Sequence, residues 1–217
     1  MRPRKSAFHG IEALEARALL SSVTLTNGIL TITGNSTADR IEVQKRADKG
    51  ELRIELNGSE KRFKYASVRR IVINALGGND FVESSGRDGG VGIAMSISGG
   101  DGNDTLEGGN GNDTIRGDNG NDHVEGKAGN DSLTGGSGND LIEGGDGKDS
   151  IHGDSGNDRL LGEAGDDSLL GGDGDDDLSG GSGRDSVRGE HGNDDFAGDD
   201  RSEVKDLGGA DDGPNHT

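Results

Sequence analysis

The chain of 217 residues lacks cysteine and tryptophan and has only two prolines, one tyrosine and four phenylalanines. Without cysteine it can form neither disulfides nor cysteine-based zinc sites. Apolar residues make up 27% of the sequence, whereas about half is usual in a globular domain. A chain this poor in apolar side chains normally stays disordered, because the surface that it can bury does not offset the entropy of ordering. Something other than a large hydrophobic core must therefore stabilise its fold.

Long apolar runs and an excess of positive charge are also missing. No apolar stretch approaches the length that a transmembrane helix needs, so no transmembrane segment is predicted. The net charge is −19, and residues 99–197, with 25 acidic and 6 basic residues, carry −19 by themselves. Residues 1–98 carry +4 and residues 198–217 carry −4. A surface this anionic argues against nucleic acid as a partner and favours cations.

Glycine is abundant, with 43 residues, and much of it lies in a nine-residue repeat. Eleven units run without a break from Gly99 to Ala197, and each has Gly at positions one and four, Asp at position six and an apolar residue at position eight. The position-six residues are Asp104, Asp113, Asp122, Asp131, Asp140, Asp149, Asp158, Asp167, Asp176, Asp185 and Asp194. A fixed short period of this kind predicts a solenoid whose turns are lined with carboxylates.

Each unit divides into a turn and a short strand. The glycines of Gly-x-x-Gly-x-Asp allow backbone conformations that are closed to residues with a Cβ, and the three residues x-apolar-x alternate outward and inward as a strand does. Two successive units are predicted to form one coil, so that each unit stacks on the unit two places later. We call units one, three, five and so on the odd column, and the others the even column. The apolar residues of the odd column are Leu106, Val124, Ile142, Leu160, Leu178 and Phe196, and those of the even column are Ile115, Leu133, Ile151, Leu169 and Val187.

This stacking brings the aspartates of each column to the strand spacing of ~4.8 Å. Unneutralised carboxylates that close repel one another, and one apolar side chain per unit provides little core. The repeat block is therefore predicted not to fold as a solenoid without cations. Calcium suits the block, because it mixes carboxylates with backbone carbonyls and tolerates irregular geometry, whereas magnesium demands a smaller octahedral shell and keeps its waters.

The units resemble the repeats-in-toxin (RTX) nonapeptide, Gly-Gly-x-Gly-x-Asp-x-apolar-x, which is also known as the hemolysin-type calcium-binding repeat. The resemblance covers 99 of the 217 residues. It implies a right-handed parallel β-roll with two nonapeptides per turn, in which Ca²⁺ lies between stacked turns. The implied ligands are the position-six aspartates and backbone carbonyls of the glycine-rich turns. Asp104 and Asp122 would flank one ion and Asp113 and Asp131 the next, and eleven units contain nine such pairs.

Residues 22–74 are predicted to form a small antiparallel β region in front of the roll, so the predicted fold class is all-β. Asn27-Gly28 and Asn57-Gly58 each lie between alternating apolar runs. This pattern is typical of a β-hairpin, because both turn residues need a positive φ. The region contains no cluster of catalytic residues.

Residues 75–98 are predicted to form a degenerate first turn that caps the solenoid. Gly77-Gly78-Asn79-Asp80 is a degenerate copy of the unit. The separation of Asp80 from Asp104 along the chain is not a multiple of nine, so an insertion around residues 84–90 must break the phase. Val91, Ile93, Met95 and Ile97 then alternate as a strand would.

The two ends of the chain are predicted to lie outside the roll. Residues 1–21 are a candidate export or sorting segment, because Leu14–Ser21 resembles the Leu-Glu-Pro-Arg-x-Leu-Leu segment near the start of many large bacterial surface proteins, with Ala16 in place of proline. Residues 198–217 break the register and are predicted to be a polar, flexible tail.

The sequence therefore predicts a non-enzymatic protein that binds calcium, with up to about nine ions, and that is secreted or attached to the cell surface. No His-Glu-x-x-His zinc motif occurs. Two alternatives remain open. One is an accessory calcium-binding module of an extracellular enzyme or toxin. The other is a calcium-dependent adhesion or matrix protein with a cell-surface or polysaccharide partner. The sequence makes no prediction of the oligomeric state.

Overall fold

The computed structural model describes residues 21–86, 90–197 and 203–204, and within these residues it contains strands and two short 3-10 turns but no α-helix. The 3-10 turns are Ala47–Lys49 and Tyr65–Ser67. The twenty strands of the described residues form two ten-stranded sheets, which we call sheet A and sheet B. All-β architecture is therefore confirmed.

Sheet A contains ten strands, and in the repeats every second strand along the chain belongs to it. Their bounds are Ser22–Thr26 (β1), Ile29–Asn35 (β2), Arg70–Gly77 (β6), Met95–Asp101 (β8), Thr114–Asn119 (β10), Ser132–Ser137 (β12), Ser150–Ser155 (β14), Ser168–Asp173 (β16), Ser186–His191 (β18) and Glu203–Val204 (β20). They are hydrogen-bonded in this order across the sheet. Among these ten strands only β1 runs antiparallel to its neighbour.

Sheet B contains the remaining ten strands. Their bounds, in spatial order, are Asp195–Phe196 (β19), Asp177–Ser179 (β17), Arg159–Ala164 (β15), Leu141–Asp146 (β13), His123–Ala128 (β11), Thr105–Glu107 (β9), Phe81–Gly86 (β7), Arg40–Arg46 (β3), Glu51–Leu56 (β4) and Ser59–Lys64 (β5). The β3–β4 and β4–β5 pairs are antiparallel, and the other neighbours are parallel.

The predicted coil of two repeat units is confirmed by the strand register. Ile115 lies opposite Leu133 in sheet A, and Val124 lies opposite Ile142 in sheet B. The apolar residues of both columns are no more than 2% exposed from Leu106 to Val187, and Phe196 is partly buried against this core. The core of the roll is therefore a double row of single side chains between the two sheets.

Most strands of the repeats are longer than the three residues that the pattern predicted. Strand β10 spans positions seven to nine of one unit and positions one to three of the next, so the turn itself contains only positions four to six. The residue at position two has a positive φ in every unit except that of Gly109, even where it is not glycine, as in Lys127 (78°), Asp154 (75°) and Glu163 (72°). This conformation explains why glycine dominates position two.

The roll begins earlier than the repeats indicate. Strands β2, β3 and β6, all of which begin within residues 22–74, pair in parallel with β6, β7 and β8 respectively. The predicted antiparallel region is thus limited to the β1–β2, β3–β4 and β4–β5 pairs. The alternating pattern alone could not distinguish the two arrangements, because parallel and antiparallel strands bury the same alternate side chains.

Insertions hide this early start of the roll in the sequence. Arg40 lies opposite Phe81, and Phe81 lies opposite Thr105, so both of these coils are longer than a coil of two repeat units. The first of them contains the β4–β5 hairpin as its insertion. The second contains the predicted insertion after β7, and regular strand resumes at Met95 rather than at Val91.

The export segment was predicted at residues 1–21, and its residues 1–20 lie outside the described residues. Of the predicted tail, Glu203–Val204 forms β20, which lies parallel to β18 and extends sheet A by one strand. The other residues from 198 to 217 are not among those described.

Candidate metal centre

The position-six aspartates line the inside of the turns at both edges of the roll. Each one directly precedes a strand, so the regular coil stacks them in two columns at the strand spacing of ~4.8 Å. The ten from Asp104 to Asp185 are only 2–4% exposed, and Asp194 in the last coil is half-buried. Sequence reasoning thus identified the residues that the fold brings together in two columns.

One carboxylate oxygen of each aspartate binds the neighbouring coil. The backbone N–H of Asp104 donates to Oδ1 of Asp122 at 2.7 Å, and the N–H of Asp113 donates to Oδ1 of Asp131 at 2.7 Å. The same bond recurs in every following coil down to Asp194. These bonds fix the side-chain rotamer and therefore the direction of the second oxygen.

The second oxygen, Oδ2, is buried without a hydrogen-bond partner in nine of the ten buried repeat aspartates. These nine are Asp104, Asp122, Asp131, Asp140, Asp149, Asp158, Asp167, Asp176 and Asp185. In the tenth, Asp113, Oδ2 accepts the backbone N–H of Gly109 at 2.7 Å. A buried carboxylate oxygen without a donor is costly, so the repetition of this arrangement points to a cation as its partner.

Glycine at position one leaves room beside each of these oxygens. A Cβ placed on Gly126 would lie 2.6 Å from Oδ2 of Asp131 and 2.6 Å from the carbonyl oxygen of Gly144 in the next coil. At Gly144 the corresponding distances are 2.6 Å to Asp149 and 2.8 Å to the carbonyl oxygen of Gly162. A carboxylate and a carbonyl from successive coils therefore converge beside the Cα of each of these glycines, where a Cβ would crowd both oxygens.

Carbonyls at positions two and four face the same gap from the other coil. A Cβ on Gly120 would overlap the carbonyl oxygen of Gly102, and a Cβ on Gly136 would overlap that of Asp118. Glycine at position four, and at position two where it occurs, thus allows the coils to approach until the carbonyl oxygens of one touch the backbone of the next. Each gap between coils is lined with oxygen.

Burial raises the pKa of eight aspartates that have no donor for Oδ2. The pKa rises to about 7 for Asp104, Asp131, Asp140 and Asp176, rises to about 6 for Asp167, and is raised for Asp122, Asp149 and Asp158. The main cause in each is loss of water around the charged form. Without a cation, the folded roll therefore disfavours the ionised form of these aspartates.

Sequence reasoning missed a second ladder, formed by the asparagines at position five. The backbone N–H of Asn121 donates to Oδ1 of Asn103 at 2.9 Å, and that of Asn139 donates to Oδ1 of Asn121 at 2.9 Å. This ladder runs opposite to the aspartate ladder, since here the side chain accepts from the following coil. The recurrence of Asn at position five in seven of the eleven units was the available signal.

The oxygens of these gaps form a donor set suited to calcium. Within the described residues no three acidic or histidine side chains converge on one point, so a site here must combine one or two carboxylates with backbone carbonyls. Calcium accepts such mixed and irregular oxygen shells, whereas zinc prefers nitrogen and sulfur ligands. When bound, a calcium ion supplies the positively charged partner that each unpaired Oδ2 otherwise lacks.

The odd column of aspartates continues in front of the repeats. The N–H of Asp80 donates to Oδ1 of Asp104 at 2.7 Å, and the N–H of Asp39 donates to Oδ1 of Asp80 at 2.7 Å. The even column ends instead at Met95, whose N–H donates to Oδ1 of Asp113. Two aspartates outside the repeats, at irregular spacing, thus belong to the same column.

Comparison with known families agrees with this geometry. The family model of the RTX calcium-binding nonapeptide repeat (4 copies) matches residues 98–133, 134–169 and 170–200. Comparisons with curated proteins and with solved structures gave no match. The chain therefore carries RTX calcium-binding nonapeptide repeats, and the coils of these repeats make up the regular part of its β-roll.

Proposed function

We propose that the position-six aspartates hold Ca²⁺ in the gaps between stacked coils, and that this binding folds the repeat region outside the cell. In each gap one aspartate supplies Oδ2, its own coil supplies the carbonyls of positions two and four, and the next coil supplies the carbonyl of position one. The aspartates concerned are Asp104, Asp113, Asp122, Asp131, Asp140, Asp149, Asp158, Asp167, Asp176, Asp185 and Asp194.

The observation that carries this proposal is the row of buried Oδ2 atoms without partners. No protein donor is positioned to satisfy them, and beside eight of the nine the space is bounded by a carbonyl oxygen of the next coil. Two oxygens without a hydrogen between them repel each other, and a cation reverses that interaction. The same arrangement at eight aspartates makes the cation a part of the fold rather than an addition to its surface.

The number of ions follows from the number of gaps. Eleven units in two columns leave nine gaps between repeat turns. Nine divalent ions would bring a charge of +18 to a block whose own charge is −19. Such near-neutrality would remove the repulsion within each column, so we propose up to nine ions in the repeats.

An extracellular location fits binding that is weak at each site and strong in sum. Extracellular calcium modules work at dissociation constants of ~0.1–1 mM, and ions that bind only the folded state stabilise it by mass action. At cytosolic calcium the repeats would stay open, and outside the cell they would fold. Nowhere in the part of the chain that the structure describes is there a helix with the length and apolarity needed to cross a membrane.

We propose a non-enzymatic role for the described part of the chain. Its buried polar side chains are Asn35, Ser84 and the aspartates of the two columns. No histidine, lysine or cysteine is among them, so no buried nucleophile is paired with a base. The oxygens that are buried serve the gaps between coils.

Calorimetry and circular dichroism of the full chain test the proposed function. Titration of calcium into chelator-treated protein should convert coil to strand, with several ions bound per chain as counted by metal analysis. Magnesium at the same concentration is the control and should produce a much smaller change, because it keeps its waters. A strand spectrum that is already complete without calcium, or equal responses to both metals, would contradict the proposal.

A further inference from the structure

We infer one calcium site outside the repeats, in the gap between residues 75–80 and the first repeat turn. The inference rests on the proposed function of the repeats. Its carboxylate is Oδ2 of Asp80, and its carbonyls are those of Leu76 and Gly78. The family match begins at residue 98 and does not include these residues.

Residues 75–80 reproduce the hydrogen bonds of a repeat turn although their sequence is Ala-Leu-Gly-Gly-Asn-Asp. The N–H of Gly78 donates to the carbonyl of Asp101 at 2.7 Å, as the N–H of Gly102 donates to that of Asn119 at 2.8 Å. The carbonyl of Asp80 likewise accepts the N–H of Thr105 at 2.9 Å. The backbone of this turn is therefore that of the repeats.

Side chains and special conformations agree with the backbone. Oδ1 of Asn79 accepts the N–H of Asn103 at 3.1 Å, which extends the asparagine ladder. Leu76 lies at position two with a φ of 83° and is 53% exposed. A leucine held in this conformation is strained, so the turn adopts the shape of the repeat in spite of its sequence. The carbonyls of Leu76 and Gly78 consequently face Gly100 and Gly102 of the next coil.

The independent sign of a ligand is the carboxylate of Asp80 itself. Asp80 is 2% exposed, and its Oδ2 is buried without a partner, as in the repeat aspartates. Its Oδ1 is fixed by the N–H of Asp39. Asp80 thus has the same orphaned oxygen, in the same column, that marks the gaps between repeats.

Asp39, the neighbour of Asp80 in the column, has a carboxylate whose hydrogen bonds come entirely from the protein. Asp39 accepts the backbone N–H of Asn35 at 2.6 Å, the side-chain amide of Asn35 at 2.7 Å, and the side-chain amide of Asn57. Three N–H donors take the place of the cation. The column of calcium sites therefore ends at Asp80.

Ala75 distinguishes this site from those between repeats. It occupies position one, where a Cβ on the equivalent Gly99 would overlap Oδ2 of Asp104 and lie 2.8 Å from the carbonyl of Gly117. The methyl group of Ala75 narrows the space beside Asp80. The site should therefore bind calcium more weakly than the repeat sites and fill last.

Counting bound calcium in three full-length proteins tests the site. Equilibrium dialysis against saturating calcium, followed by metal analysis, should show one ion fewer per chain in Asp80→Asn than in the wild type. Asp39→Asn is the matched control and should retain the wild-type number, because its carboxylate already has donors. An unchanged number in Asp80→Asn, or an equal loss in Asp39→Asn, overturns the site. A wild type that binds no calcium overturns the proposed function instead.

A second variant decides the matter if Asp80→Asn fails to fold. Ala75→Gly restores the glycine of the repeats and should lower the dissociation constant of the last-filling ion about tenfold, with the number of ions unchanged. The same titration curve with and without the methyl group would overturn the site.

Discussion

Residues 21–98 and residues 99–197 share two continuous sheets but bury different side chains: the first region buries more apolar residues, and the repeats bury more aspartates. Of the 27 buried apolar residues in the described chain, 17 lie before residue 99 and 10 lie in the repeats. The first region buries side chains from β4 and from the segment around Val91 in addition to the inner columns. Its coils are thus stabilised mainly by apolar contacts, whereas each repeat contributes one apolar side chain.

The carboxylates of the two regions differ as well. Glu60, Glu55, Glu42 and Glu83 lie side by side across β5, β4, β3 and β7. Their neighbours are Arg53, Arg62 and Arg40, which form ion pairs with all four glutamates. The first region balances these glutamates with its own cations. The repeats instead bury nine aspartates with an unpaired Oδ2, so we propose that the same topology is stabilised from within in the first region, apart from the gap at Asp80, and by calcium in the repeats.

The largest expected difference between the two regions is in how calcium changes the destabilisation caused by replacing one core isoleucine. Ile41→Ala should lower the free energy of unfolding by ~3–4 kcal/mol with or without calcium, since it opens a cavity in the apolar region. Ile142→Ala should do so only in calcium, because without it the repeats have no fold to lose. Urea unfolding can follow both regions, since Tyr65, the only tyrosine, reports on the first region by fluorescence and circular dichroism on the whole chain. A loss of stability in Ile142→Ala that is the same with and without calcium would erase the distinction.

Removing one ligand carboxylate from the middle of the roll should have the next largest effect. Asp140→Asn should raise the calcium concentration at the midpoint of folding about tenfold or more, because its Oδ2 is one of the buried oxygens that a cation would satisfy. Asp146→Asn removes the same charge from an exposed position and should leave the midpoint nearly unchanged. Equal midpoints in the two variants would show that calcium binding depends on the total charge of the repeats rather than on the buried carboxylate oxygen between the coils.

Acid should act oppositely on the calcium-free and the calcium-bound roll. Burial raises the pKa of Asp104, Asp131 and Asp140 from 3.8 to about 7, so the folded state binds more protons than the unfolded state between about pH 4 and pH 7. The free energy of unfolding without calcium therefore increases as the pH falls through this range. Calcium affinity should decrease over the same range, because protons compete for the carboxylates. Circular dichroism of metal-free protein and calcium titrations at several pH values check both directions.

The smallest expected effect concerns position two. Glu163 has a φ of 72° and lies opposite Gly145 in the neighbouring strand, with a φ of 105°. Glu163→Gly should raise the stability of the calcium-bound roll by about 1 kcal/mol, because it removes a side chain from a strained conformation. Gly145→Glu should lower it by more, since a Cβ there would overlap the carbonyl oxygen of Lys127. Thermal unfolding in saturating calcium measures both, and a loss of stability in Glu163→Gly would refute the strain argument.

The repeat pattern was sufficient to predict the columns but not the full extent of the roll. Constant spacing fixed which residues stack, so the apolar pairs such as Ile115 and Leu133 follow directly from the period. The coils that contain Asp39 and Asp80 have insertions, and no period survives them. Their membership of the roll depends on long-range parallel pairing, which local alternation does not specify.

The finer features of the site also needed coordinates. Whether an aspartate has a free oxygen depends on neighbours that the pattern does not include, as the contrast between Asp113 and Asp131 shows. Asn35 and Asn57 satisfy Asp39 from positions that follow no repeat. Spacing in the sequence therefore identified the carboxylates, while the donors around each one depended on packing between distant segments.

Hydrogen exchange of the full chain, with calcium and with a chelator, tests most directly whether calcium is what stabilises the repeats. We expect backbone amides of residues 99–197 to lose their protection in the chelator, while those of residues 29–86 keep much of theirs. Re-addition of calcium should restore the protection of the repeats. Equal protection of the repeats in both conditions would contradict this account of how the roll is held together.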